Sequence, residues 1–100
     1  MLRFKVLVIQ RGKAFLAVPC DVSKSLIILG ASKKEILKKA QLAILEEVKE
    51  RRELFVPNYK ASIESIVREK NVKTEDGDKL TLEQVEIEFT YNNVRLGEIQ

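Results

Sequence analysis

Between Ser23 and Phe55 the spacing of apolar residues changes once, from a continuous run to a helical repeat, and that switch limits the folds open to this chain. Leu26, Ile27, Ile28 and Leu29 are consecutive and stop at Gly30-Ala31-Ser32, after which Ile36, Leu37, Ala40, Ile44 and Val48 recur three and four apart. The first pattern suits a strand buried on both faces, the second an amphipathic helix. Ser32-Lys33-Lys34-Glu35 reads as a capping box, in which the Ser32 hydroxyl accepts from the Glu35 amide and the Glu35 carboxylate reaches back to the Ser32 amide. The helix is predicted to run to about Leu54, because Pro57 cannot continue it.

Two strands precede this unit. From Leu2 to Ile9, Phe4, Val6 and Val8 point one way and Arg3 and Lys5 the other, until Leu7 and Ile9 make both faces apolar. Gln10-Arg11-Gly12-Lys13 supplies a tight reversal, Ala14 to Val18 returns antiparallel, and Pro19 ends the strand because it cannot donate to the ladder. After Pro57, Ile63, Ile66 and Val67 suit a short helix over 61–70, although the same spacing could pair as a strand. Glu75-Asp76-Gly77-Asp78 is a turn. Val85, Ile87, Phe89 and Tyr91 alternate with Glu86, Glu88 and Thr90 as a strand with one acidic, solvated face, and Asn92-Asn93 turns it back through Val94 and Leu96.

The predicted fold class is therefore α+β: a three-stranded antiparallel sheet followed by a long helix packed on it (β-β-β-α), then a short helix and a C-terminal β-hairpin. Residues 1–57 form the first unit and 58–100 an extension of the same single domain, in keeping with 100 residues and 45% hydrophobic content.

Composition removes whole classes of chemistry. The chain has no histidine and one cysteine, Cys20, so most hydrolase designs, an intrachain disulfide and a paired-cysteine metal site are all excluded. Cys20 itself reads as a small packed side chain. No apolar run reaches membrane-spanning length and the N-terminus alternates charge, so no membrane association is expected and the cytoplasm is the predicted location. The high Lys and Glu content with few Asn, Gln and Met matches proteins from hot environments. Residues 1–54 hold 12 basic and 6 acidic side chains and residues 55–100 hold 6 and 9, giving halves of +6 and −3. Such a split suits an acidic partner, nucleic acid, or two halves folding on one another.

The candidate sites are surfaces. At about 100° per residue, Leu42 and Leu45 fall outside the apolar face of the long helix, among Lys34, Lys38, Lys49 and Arg52. A basic strip with two leucines at its centre has the make-up of a partner or oligomer interface, unless the C-terminal segment covers those leucines. Glu86 and Glu88 form a second candidate contact face, and Glu75, Asp76 and Asp78 crowd a turn. Neither acidic group matches a metal-ligand loop, and there is no phosphate-binding glycine loop, so no cofactor, metal or catalytic residue is assigned. The aromatics Phe4, Phe15, Phe55, Tyr59, Phe89 and Tyr91 fall mostly on core-like positions, which disfavours base stacking.

The succession Phe4-x-Val6-x-Val8, Gly12, Ala17-Val18-Pro19, then Gly30-Ala31-Ser32 opening a helix with Glu35, Ala40 and Ala43, and Pro57 past its end, resembles the HicB-like antitoxins over residues 2–57. Two departures stand out: Cys20 to Ser25 lacks the second proline and glycine usual in that loop, and residues 58–100 do not look like the family's DNA-binding appendage, so operator binding is not carried over. The resemblance implies a degraded RNase H-like fold without nuclease residues that assembles as dimers or tetramers. It implies a non-catalytic module that binds and masks a small RNA-binding toxin, HicA in that family. The alternatives are a small basic nucleic-acid-associated protein using the lysine strip, and a homo-oligomeric assembly subunit joined through Leu42 and Leu45.

Overall fold

The computed structural model describes residues 2–22, 26–51, 57–90 and 93–99. In chain order the elements are β1 (Leu2–Arg11), β2 (Ala14–Pro19), β3 (Ile28–Gly30), α1 (Lys33–Arg51), α2 (Ile63–Glu69), β4 (Lys79–Thr90) and β5 (Asn93–Ile99). All five strands lie in one antiparallel sheet of order β3-β2-β1-β4-β5.

The fold is α+β as expected, but the sheet is larger than the three strands read from the sequence. β4 begins at Lys79 instead of Val85 and runs along β1 from the Gln10–Lys79 pair to the Leu2–Ile87 pair, which makes β1 the central strand and builds the C-terminal hairpin into the same sheet. Thr90 pairs with Asn93, so Asn93 is already strand instead of turn, while Tyr91 of the expected strand and Asn92 of the expected turn lie outside the described residues. The predicted helix end at Leu54 lies outside them too.

Alternation along β1 explains why both faces of the sheet are covered. Phe4, Val6 and Val8 share one face with Ala17, Val85 and Ile87, and there they meet Ile36, Leu37, Ala40, Ile44 and Val48 of α1. Leu7 and Ile9 point the other way and, with Leu16, Val18 and Cys20, pack beneath Ala61 and Ile66 at α2. Each fully buried Ile or Phe is worth about 2 kcal/mol relative to exposure, so a seven-residue α2 with one fully buried isoleucine still seals a second core. Its N-terminal end is fixed locally: the Ser65 amide donates to Ser62 Oγ at 3.1 Å and the Ser62 amide to Ser65 Oγ at 2.8 Å. Lys5 crosses from the sheet, its Nζ donating to the carbonyls of Tyr59 and Ala61 at 2.8 and 2.9 Å.

The helix α1 starts where the capping pattern puts it, with one difference. The Glu35 amide donates to Ser32 Oγ at 3.1 Å, but Glu35 Oε2 accepts from the Ala31 amide at 2.8 Å instead of the Ser32 amide. The β1–β2 turn is the two residues Gly12-Lys13, with Gly12 at φ +59°, a backbone that a side chain would strain.

The third strand is not buried: β3 is three residues long and outermost in the sheet, Leu29 is 63% exposed, and Ile27 just before the strand is 55% exposed. At the opposite edge, one residue of β4, Glu86, faces two of β5, Gly97 and Glu98, between the Val85–Ile99 and Ile87–Leu96 pairs. Such a bulge leaves main-chain groups without ladder partners.

Candidate interaction surface

Five of the six residues read as a basic interface strip are described, and Arg52 lies outside the described residues. Lys34, Lys38, Leu42, Leu45 and Lys49 fall within about 80° of the α1 circumference and span about 22 Å of its length. Lys34, Lys38 and Lys49 are exposed, and none has a hydrogen bond or ion pair among the described residues. Other cations of the chain are engaged: Lys33 pairs with Glu83 at 2.6 Å, Lys39 with Glu35 at 3.4 Å, and Lys70 donates to the Val22 carbonyl at 2.5 Å.

The two leucines part company. Leu42 stays 45% exposed, so no described segment of the C-terminal half folds over it. Leu45 is half-buried and packs on the α1-side core, which corrects its grouping with Leu42 as an outward residue. At about 120° from the first α1 residue it lies nearer the sheet than Leu42 at about 180°, close enough for a long side chain to fold under. The surface is thus one apolar centre, Leu42, with lysines that have no partner among the described residues along one flank and the exposed Glu46 and Glu50 along the other.

The second candidate face does not exist as an exposed surface. Glu86 is only 3% exposed with Arg3 Nε 4.0 Å from its carboxylate, and Glu88 is half-buried, so the strand face read as solvated acid is largely covered. Two of the three acids of the turn, Glu75 and Asp78, are also engaged internally. Arg11 at the end of β1 sends Nε and Nη2 to the two oxygens of Asp78, at 2.9 and 2.8 Å, and Nε also lies 2.6 Å from Glu75 Oε2. The Arg11 hydrogen bonds, with the Glu75 amide second, hold the Asp78 carboxyl down at about 2.

Cys20 sits in the α2-side core. Burial, reinforced by Asp21 and then Glu69, pushes its thiol up to about 11, so at neutral pH it is protonated and a poor nucleophile. Asp21 was not singled out from sequence. Burial raises its carboxyl, Oδ1 accepts from the Asn58 amide at 3.1 Å, and Oδ2 is buried with no hydrogen-bond partner among the described residues. Among the described residues, no three metal-ligating side chains converge, and no helix is long and apolar enough to cross a membrane.

Sequence reasoning also passed over Gln41. It is fully buried on the sheet-facing side of α1, where its Nε2 donates to the Glu86 carbonyl at 2.9 Å and the Gly97 carbonyl at 2.8 Å. The signal was present: Gln41 is a polar residue between Leu37, Ala40 and Ile44 inside the apolar stripe, a position that needs an internal partner. Tyr59, counted as core-like, is 58% exposed.

Comparison of the chain with protein-family models, curated proteins and solved structures finds no match.

Proposed function

We propose that this protein is a non-catalytic protein-binding module of the antitoxin type, and that it engages a small RNA-binding partner through the outer face of α1. One observation carries the reading: Leu42 is exposed in the middle of a helix whose neighbouring Lys34, Lys38 and Lys49 have no partner among the described residues. An apolar centre with a charged border is the composition of a protein contact, and its sign asks for an acidic partner face. The acids that could have met a basic partner support this, since Asp78 and Glu75 are tied to Arg11 and Glu86 is buried. A toxin would accordingly be held beside its basic RNA-binding surface, and masking would be by obstruction.

Co-expression of the chain with the product of the neighbouring gene tests this. Co-elution that is lost in Leu42→Glu and in the Lys38→Glu, Lys49→Glu pair, with helix content unchanged, supports the proposal. Absence of any complex with the parent chain overturns it.

The same three lysines favour a second reading, a phosphate-binding strip on nucleic acid. Its mark is affinity that falls steeply with salt, by roughly 0.9 in log K per log salt for each phosphate contacted. The exposed Leu42 has no task in tracking a phosphate backbone, which ranks this reading second. A homo-oligomer joined at Leu42 ranks third, and light scattering of Leu42→Glu against the parent separates it from both.

A further inference from the structure

The outer face of α1 carries a charge order that is unfavourable within one chain. Lys34, Lys38, Leu42, Glu46 and Glu50 stand four residues apart, and all five are exposed. At about 40° and about 6 Å per step they make one inclined ridge on the helix: two cations, a leucine, two anions. Lys34 and Lys38 repel at i, i+4, and so do Glu46 and Glu50. Lys34 lies in the first turn of α1 and Glu50 in the last, each set against the helix dipole. Like Lys34 and Lys38, the two glutamates have no hydrogen bond or ion pair among the described residues. Elsewhere on the same helix the order is the favourable one, since Glu35 precedes Lys39 by four residues and pairs with it at 3.4 Å.

Reversed end to end, this ridge is its own complement. Residues equally far from Leu42 carry opposite charge, Lys38 with Glu46 and Lys34 with Glu50. A two-fold axis at Leu42 runs the ridge of a second copy antiparallel to the first. It sets Lys38 against Glu46 of the second copy and Lys34 against its Glu50, and repeats both pairs by symmetry. Aligning two ridges of this inclination crosses the helices at about −50°, the commonest crossing in globular proteins. A parallel arrangement would oppose lysine to lysine. A uniformly acidic face would satisfy Lys34 and Lys38 but repel Glu46 and Glu50, so the reversed, two-signed ridge is the better complement.

We propose that α1 pairs with α1 of a second copy about a two-fold axis at Leu42, and that this pair is the resting cover of the partner-binding face. The cover rests on the partner reading above, whereas the pairing does not. Both contacts need Leu42, 45% exposed in the single chain, so each excludes the other and partner binding opens the pair. An assembly subunit would instead keep the α1 contact in every state. Two leucines ringed by four exposed ion pairs make a small contact, which suits a reversible and salt-sensitive dimer.

Sedimentation equilibrium of the full chain over a concentration series, at low and at moderate salt, tests the pairing. The parent is expected to form a dimer whose association weakens as salt rises. Lys38→Glu sets acid against acid at two places and Glu46→Lys sets base against base, so each variant alone is expected to lose about tenfold or more in association constant. An equimolar mixture of the two variants opposes unlike charges at both places again, and is expected to dimerise within about threefold of the parent. Lys13→Glu in the β1–β2 turn, the same charge change away from the helix, leaves the parent value. A parent that stays monomeric through the series overturns the pairing. So does a mixture no more associated than its components, or a dimer unmoved by either reversal. If either variant loses helix content by circular dichroism, Lys34→Glu and Glu50→Lys repeat the test at the outer positions. Titrating the neighbouring gene's product into the parent then reads the cover: loss of the dimer as the complex forms supports it, and a complex that retains the α1 pair overturns it. A dimeric parent that forms no complex removes the partner reading and the cover while the pairing stands. A monomeric parent that captures the product removes the pairing alone.

Discussion

The Gln41 carboxamide hydrogen-bonds the Gly97 carbonyl at 2.8 Å from within the core, and this links the long helix to the edge strand β5 where its ladder is irregular. The same nitrogen takes the Glu86 carbonyl across the bulge at 2.9 Å, so one side chain donates to a main-chain oxygen on each strand where the register shifts. Gln41 thus belongs to the sheet as much as to the helix.

Removing that bridge takes one buried and one part-buried hydrogen bond from the β4–β5 edge. Gln41→Leu is expected to lower stability by about 1–3 kcal/mol in urea unfolding, and to speed hydrogen exchange in β5 more than in β1. Unchanged stability with unchanged β5 protection would show that water replaces the amide without loss.

The bulge also sets a requirement at Gly97. A Cβ there would lie 2.8 Å from Glu86 Cβ and 3.1 Å from its carbonyl oxygen, so Gly97→Ala forces the two strands apart and is expected to cost about 1–3 kcal/mol. Gly77→Ala provides the comparison: it has φ +87° but open space around it, and strain alone is expected to cost about 1 kcal/mol. Thermal unfolding of the two variants side by side reads the difference.

Arg11 and Asp78 confer a defined acid sensitivity. The Asp78 carboxyl is held down at about 2, below its unfolded value of roughly 3.9, so its contribution is fully present above that value and is lost as pH falls toward 2. Asp78→Asn is therefore expected to be less stable than the parent at pH 7 and to lose less stability between pH 4 and 2. Parallel pH profiles for the two proteins would remove the pair from the account of acid unfolding.

Cys20 is expected to resist thiol reagents in the native state. With the thiol raised to about 11 and buried beneath α2, labelling at pH 7.5 should proceed only at the rate of opening and become prompt in denaturant. Prompt labelling of the folded chain would mean that α2 does not cover the thiol in solution.

The local patterns were legible and held. The Ser32 cap, the helical repeat from Ile36 to Val48, the alternation of Phe4, Val6 and Val8, and the short helix around Ile66 each depend on neighbours within a few residues, and each appears at or near its expected place. The β1–β4 pairing was not legible, because Leu80 and Leu82 find their partners in Ile9 and Leu7, more than seventy positions away, and alternation does not say which strand lies alongside. Without β4 extended to Lys79, Glu86 reads as a solvated acid and the Arg11–Asp78 pair has no reason to form.

The amino-acid order by itself determined the strand through Phe4, Val6 and Val8, the return from Ala14 and the helix opened by Ser32, and that no histidine or paired-cysteine chemistry resides in the chain, since these follow from residue type and short-range spacing. Only the tertiary structure decided which apolar side chains stayed uncovered: Leu42, Ile27 and Leu29 outside, Leu45 tucked under, Gln41 and Glu86 inside. Exposure is a property of what lies on top of a residue, and in this fold the covering elements come from the far end of the polypeptide.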